Sequence, residues 1–282
     1  MKIGKYDLHI IESGFFGLDG GAMFGIIPKP LWEKFNPADQ KNRIKLSTRN
    51  LLLKSDSKNI LIDTGMGNKW DDKSKEIYQI DQNEYSLENS LFKMNLKPAD
   101  ITDIILTHLH FDHTGGSTKI SEGKLSPSFP NAVYHVSRKN FDWAMNPTER
   151  DKGSYLKENF LPLKESGVIC YSNSGKNIDD EIELIEVNGH TFGQQLVKIE
   201  DASRTLLFCG DLFPTTTHIS LPYIMGYDLQ PLVTLEEKKK ILETAAEGDW
   251  ELFFEHDPLN ALASVERSEK GYKIKEKYKS FE

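Results

Sequence analysis

The sequence predicts an α+β fold: two β-sheets packed face to face, with helices on the outside. Three observations carry this expectation. Short β-branched and aliphatic runs recur from residue 6 to residue 254, bounded by turn-forming residues. Segments of helical character are few and separate groups of these runs, giving strands, a helix, more strands and another helix, with no internal repeat. The histidines and aspartates that stand out chemically fall just past apolar runs, so strand ends collect them.

Taken in order, residues 6–12 read as a first strand. Residues 13–35 fit neither strand alternation nor a helical period, yet carry Phe15, Phe16, Met23, Phe24, Ile26, Ile27, Trp32 and Phe35. An apolar loop over 15–36 is expected, acting as a lid over a site, a cap on the core or a subunit contact. Runs 46–54 and 59–63 flank the turn-forming 55–58 and predict a hairpin. Leu87, Leu91 and Met94 predict a helix over 86–96 that Lys97-Pro98 stops, and 103–107 is a buried strand. Residues 132–136 form another strand, in which His135 is structural, and Ser137 caps a helix to Met145. A polar loop over 146–154 precedes helical character at 155–166, interrupted by Pro162. Strands follow at 168–171, 181–187, 196–199 and 205–208. Thr234 and Glu237 match a capping box opening a helix that Gly248 closes, and 250–254 is the last buried strand.

With 38% hydrophobic residues, a chain of 282 can build a real core. A formal charge of −8 argues against a phosphate-neutralising surface, so nucleic acid is not an expected partner. The Lys-rich stretches 238–240 and 270–279 are interleaved with Glu243, Glu269 and Glu276 and read as solvated faces. Cys170 and Cys209 are too few and too far apart for a disulfide framework or sulfur metal site; both are expected to be free and buried. There is no apolar signal segment and no run long enough to span a bilayer, so a cytoplasmic protein without a membrane partner is expected.

Residues 107–116 read T-H-L-H-F-D-H-T-G-G. One histidine in a strand or loop is ordinarily a hydrogen-bonded core or surface residue. Three histidines and a carboxylate within six positions are hard to explain by packing. His108 and His110 share one side of an extended chain, and a tight loop can fold Asp112 and His113 back beside them. Gly115 and Gly116 let the chain turn away. Neutral imidazole suits zinc and other borderline metals, and the carboxylate adds charge for a second cation.

H-x-H-x-D-H resembles the signature of the metallo-β-lactamase superfamily of metal-dependent hydrolases. There the motif is completed by a later His, an Asp that bridges two metals and a final His. The matching positions are His190 in N-G-H-T-F-G, Asp211 in F-C-G-D-L-F and His256 in F-F-E-H-D-P. The resemblance implies a four-layer αββα sandwich. A single domain over residues 1–282 is expected, because ligands spread from His108 to His256 must converge. It implies one divalent ion on His108, His110 and His190, a second on Asp112, His113 and His256, and Asp211 between them. Zinc is the expected metal, with manganese, iron and cobalt as alternatives. Asp63, in D-T-G-M-G, is implied to lie behind the ligands and orient one of them. The implied reaction is hydrolysis: metal lowers the pKa of its water to roughly 7, and the bridging hydroxide attacks a carbonyl that the second ion, roughly 3.5 to 4 Å away, polarises. Asp211 separates the chain from the commonest zinc β-lactamases, which place a Cys there.

Within that family, residues 18–32, 210–219 and 226–231 look like the quorum-quenching N-acyl-homoserine lactonases, a branch neighbouring the methyl-parathion-type hydrolases. Lactone ring opening is therefore the expected activity. Hydrolysis of phosphotriesters, aryl esters or another thiolester or ester is the alternative. The expected partner is a small apolar ester or lactone walled by Phe24, Trp32, Phe111, Tyr223 and Tyr227. Catalytic roles are expected for Asp112, Asp211 and His218, and His218 and Tyr223 or Tyr227 are candidates to hydrogen-bond the ring or leaving oxygen. Better-known lactonases carry a tyrosine three residues after the bridging Asp, where this chain has Pro214. Aromatic exposure in the 15–35 segment points to a homodimer. A diiron oxygen-reducing protein uses a similar ligand set but carries a flavin domain, for which there is no room. A non-catalytic member would have lost ligands, and none of the seven is missing.

Overall fold

Strands buried on both faces read as nearly continuous apolar runs, and Leu51, Leu52 and Leu53 show the reason. Leu51 and Leu53 point into a core between two sheets, and Leu52 points outward into a second core beneath helices. A computed structural model describes residues 1–172, 178–269 and 271–281. Its strands are β1 (Lys2–Ile3), β2 (Tyr6–Asp19), β3 (Arg43–Lys54), β4 (Asn59–Ile62), β5 (Asp103–Ile105), β6 (Thr118–Ser121), β7 (Lys124–Pro127), β8 (Val133–Ser137) and β9 (Ile169–Ser172), then β10 (Ile182–Val187), β11 (Gln194–Glu200), β12 (Thr205–Phe208), β13 (Glu251–Phe253), β14 (Leu262–Ser268) and β15 (Gly271–Tyr278). The helices are α1 (Gly20–Phe24), α2 (Lys29–Trp32), α3 (Asp72–Ile77), α4 (Leu87–Lys93), α5 (Phe111–Thr114), α6 (Arg138–Met145), α7 (Leu161–Glu165) and α8 (Pro231–Glu247).

One sheet runs β1-β2-β3-β4-β5-β8-β9 and the other runs β10 to β15 in chain order, with β6 and β7 a separate hairpin. Ile60, Ile62 and Ile105 of the first sheet meet Val197, Leu206, Phe208 and Phe253 of the second. Outside the first sheet lie Leu91 of α4, Phe141 of α6 and Leu163 of α7; outside the second lie Ile241, Leu242 and Ala245 of α8. The order of layers is αββα, as expected. In the first sheet β4, β5, β8 and β9 pair in parallel, and in the second only β12 and β13 do. The C-terminal ends of β4 and β5 meet those of β12 and β13 at one edge of the sandwich, where side chains from all four connections converge.

Several expectations are corrected. The segment after residue 12 is not a long loop: β2 continues to Asp19 through a bulge between Glu12 and Phe15, and α1 and α2 follow. The bulge breaks the alternation that would have revealed the strand. Gly14 sits in it at φ +130°, where an added Cβ would meet Gln82 and the Asp81 carbonyl. Pro162 opens α7 instead of interrupting a helix, as its missing N–H allows. The helix read from Thr234 begins earlier, at Pro231, so Thr234 and Glu237 lie inside it and bond elsewhere. Two more strands follow β13, and the edge strand β15 carries Lys273, Lys275, Glu276 and Lys277, as charged edges do. Lys238 is fully buried, not solvated; Lys270 lies outside the described residues. Cys209 is buried as expected, but Cys170 is exposed. No helix among the described residues is long and apolar enough to cross a membrane.

Candidate metal centre

The chain leaving β5 places His108 and His110 and then winds into α5, which returns Asp112 and His113. The glycines that follow allow close approach more than turning. A Cβ on Gly115 would lie 2.0 Å from the Met66 carbonyl oxygen, and one on Gly116 would lie 2.3 Å from that of Thr64, so the loop seats directly on residues 63–67. His190 comes from the β10–β11 connection, Asp211 from the turn after β12 and His256 from the turn after β13.

All seven residues come together in two adjoining clusters. In the first, His108 Nε2 and His190 Nε2 lie 3.0 and 3.1 Å from His110 Nδ1. In the second, His113 Nε2 and His256 Nε2 are 3.1 Å apart, with Asp112 Oδ2 3.9 and 3.7 Å from them. Asp211 joins the two. Its Oδ2 is 3.3 Å from His190 Nε2, and its Oδ1 is 3.4 Å from His113 Nε2 and 3.2 Å from His256 Nε2.

The outer side of each ring shows which nitrogen faces inward. Thr107 gives its hydroxyl proton to Asp63 at 2.6 Å, so at 3.1 Å it accepts from His108 Nδ1. His190 Nδ1 donates to Asp228 at 2.9 Å and His256 Nδ1 to the Ser47 carbonyl at 2.9 Å. His113 Nδ1 faces Asp63 and Glu255, each at 3.0 Å. Each of these rings is held by its outer N–H with a lone pair on Nε2 toward the centre, the usual arrangement of a metal-binding imidazole. Lone pairs about 3 Å apart repel unless a cation lies among them, so the donor set fits metal. Asp211 Oδ1, buried without a hydrogen bond, points the same way.

Electrostatics divides the rings, and not along the line between the clusters: burial of His190, in the first, is outweighed by Asp211 and Asp228, which raise its pKa. Burial holds His108 and His110 well below the ordinary histidine range, neutral and ready to donate lone pairs. Burial also acts on His113, but the carboxylates of Glu255, Asp112 and Asp211 outweigh it and raise its pKa well above that range. For His256, burial is likewise outweighed, chiefly by Asp211, and its pKa reaches about 9. A field that would keep a proton on these rings also favours a metal ion in its place.

Residues outside the motifs brace the loops. Asn140 accepts from Leu109 N at 2.9 Å and donates to the Phe192 carbonyl at 2.9 Å, tying the first histidine loop to the His190 loop. Oriented with its oxygen toward the turn, the Gln194 amide accepts from Asp211 N at 2.9 Å and Leu212 N at 3.1 Å. Thr234 holds Asp228, and Glu237 accepts from Asn188 N and Gly189 N.

Above the clusters is a cavity of about 230 Å³ whose floor includes His110, Asp112, His190, Asp211 and His256. Its walls are Leu18, Met23, Leu46, Phe111 and Met225, with the phenols of Tyr78 and Tyr227 and, at 150–154, Arg150, Gly153 and Ser154. Of the expected pocket residues, Phe111 and Tyr227 line it. Phe24, Trp32 and Tyr223 do not: Phe24 stacks between Trp32 and His218, at 5.1 and 4.9 Å, with Tyr223 against its edge. His218 is corrected as well. Its Nδ1 lies 2.8 Å from the Thr215 hydroxyl and its Nε2 2.9 Å from the Met23 carbonyl, and burial pushes its pKa down to about 3. It is a neutral residue behind the wall with no nitrogen left for substrate. Nothing in 71–85 marks Tyr78 by type or spacing, and Asp228 in 226–231 and Glu255 in F-F-E-H-D-P carry no signal of their own beside the ligand motifs.

Comparison with known proteins supplies the wider frame. A family model described as the metallo-beta-lactamase superfamily matches residues 46–266. A probable metal-dependent hydrolase from Staphylococcus aureus superposes with a TM-score of 0.89 at 30% identity, covering 99% of this chain and 98% of that one. A probable metallo-hydrolase of Methanocaldococcus jannaschii is 29% identical over 166 residues, 57% of this chain and 64% of that protein. The N-acyl homoserine lactonase AttM of Agrobacterium fabrum is 26% identical over 185 residues, 64% of this chain and 66% of that protein. The chain thus spans just under two thirds of the length of these two curated relatives.

Proposed function

Because the chain belongs to the metallo-β-lactamase superfamily, we propose that it is a dinuclear zinc hydrolase of small lactones or esters, opening the ring of an N-acyl-homoserine lactone. The observation that carries the reading is Asp211, with one oxygen toward each histidine cluster. His108, His110 and His190 would hold one ion; Asp112, His113 and His256 would hold the other. Bound there, divalent cations supply a nucleophilic water at neutral pH and polarise the acyl oxygen.

The remaining work falls to the chain. Asp112 and Asp211 offset positive charge at the cavity floor. Leu18, Met23, Leu46 and Phe111 exclude water and hold apolar parts of the substrate. Tyr78 and Tyr227 carry phenols with no hydrogen-bond partner among the described residues; either can donate to the acyl or leaving oxygen, a role that Pro214 and His218 cannot fill. The small cavity favours a compact ring over a phosphotriester, which must expel a separate aryl or alkoxy group. Kinship with the lactonase AttM supports the same choice. The test is a screen of lactones, thioesters and phosphotriesters with metal-reconstituted protein. Lactone opening, with one proton released and one water gained in mass, is expected. Faster triester turnover would overturn the substrate assignment.

A further inference from the structure

Arg150 is the one lysine or arginine among the residues lining the cavity. The loop that carries it is fixed. Buried Asp151 accepts from Thr148 N at 2.8 Å, from the Thr148 hydroxyl at 2.6 Å and from Trp143 Nε1 at 2.7 Å. Arg150 itself uses only Nη2, which donates to the Gly226 carbonyl at 2.5 Å and the Asp228 carbonyl at 3.3 Å. These contacts tie the 150–154 wall to the segment carrying Met225 and Tyr227. Nε and Nη1 have no partner, and no carboxylate lies within ion-pair distance among the described residues. Arg150 is exposed, so its charge stands at the rim of the cavity, facing solvent and whatever the cavity holds. A latch alone would not require an arginine, because two carbonyls can be held by any N–H donor. Its free Nε–H and Nη1–H groups lie on separate flanks of the guanidinium, so each can give a carboxylate one charge-assisted hydrogen bond.

We propose that the cavity serves anionic substrates: a small lactone or ester bearing a carboxylate, with its acyl carbon at the histidine–aspartate floor and its carboxylate at the rim, on a free N–H of Arg150. The proposal rests on the hydrolase reading above and adds the charge of the substrate to it. The volume suits such a molecule, since about 230 Å³ lies below the roughly 300 to 1,000 Å³ of common small-molecule sites. A long acyl chain would have to leave the cavity, whereas a short acid reaches its counter-charge at the rim.

The test compares N-succinyl-homoserine lactone, which ends in a carboxylate, with N-butanoyl-homoserine lactone, which ends in a methyl group, on metal-reconstituted protein. The parent is expected to favour the carboxylate in kcat/KM by roughly tenfold or more, as a charge-assisted hydrogen bond allows. Arg150→Gln should bring the ratio near one, and Arg150→Lys should restore part of it. A parent that favours the neutral lactone, or a ratio unchanged in Arg150→Gln while both rates fall together, would overturn the proposal and leave Arg150 a latch. Calorimetry with the two ring-opened products separates this from failure of the lactonase reading. If neither lactone is opened, tighter binding of N-succinyl-homoserine that Arg150→Gln abolishes still supports the anion site. Equal binding of both products rejects it.

Discussion

Asp228 receives the outer N–H of His190 at 2.9 Å, and its other oxygen is held by Thr234 of α8 at 2.7 Å. The orientation of one candidate metal-binding ring is therefore set by a helix that contributes nothing else to the cavity floor. Asp228→Ala should weaken metal binding about 10- to 100-fold, the usual effect of losing such a partner. Competition with a chromophoric chelator measures this, and unchanged affinity would show that the ring needs no brace.

Metal analysis should find close to two ions per chain. Asp211→Ala should retain at most one, with most activity gone, because the two cations then face each other less well neutralised. Full turnover with both ions retained would remove Asp211 from between them.

Phe24 and Trp32 are core residues, and their truncation should read as such. Phe24→Ala or Trp32→Ala is expected to cost about 3 to 5 kcal/mol of stability by denaturant unfolding. Preference among acyl chain lengths should stay unchanged. Leu18→Ala and Phe111→Ala, at the cavity wall, should instead alter that preference with a smaller loss of stability.

Lys238 gives a pH prediction. Its ammonium, fully buried, donates to the carbonyls of Ser220, Leu221 and Tyr223 at 2.9, 3.3 and 2.7 Å. Burial lowers its pKa from 10.5 to about 7, with Asp228 opposing. Between these values the unfolded chain still binds a proton that the folded chain has released. This residue's contribution to stability therefore rises with pH across that window, by at most about 1.4 kcal/mol per unit, and is lost as pH falls toward 7. Urea unfolding of the parent and Lys238→Met at pH 7, 8 and 9 should show a parent-minus-variant difference that grows with pH. A constant difference would rule out titration at this site.

The residues that converge in the two clusters were legible because their chemistry resides in residue type and in short spacings that survive any detail of packing. The layers were legible from the doubly buried leucine and isoleucine runs. The cavity wall was not, because the bulge after Glu12 and the short α1 and α2 decide which aromatic faces inward. Phe24 and Met23 are neighbours, yet one is packed between rings while the other lines the cavity. Thr234 and Glu237 match a helix start by local pattern but bond outside the helix, Thr234 to Asp228 in the segment before it and Glu237 to the distant 188–189 amides. Lys238, one of three consecutive lysines, is indistinguishable by composition from its solvated neighbours.

Each cluster draws on both halves of the sandwich: His108, His110 and His113 follow β5 of the first sheet, and His190, Asp211 and His256 leave strands of the second. Ions held there would stitch one sheet to the other at a single edge, opposite in character to the apolar seam between them. Metal would then act on folding as well as on chemistry. At free metal a thousandfold above its dissociation constant, one such cross-link stabilises the native state by about 4 kcal/mol. Chelation should therefore lower the melting temperature and loosen hydrogen exchange first at the ends of β5, β12 and β13, while the far edge of the sheets stays protected.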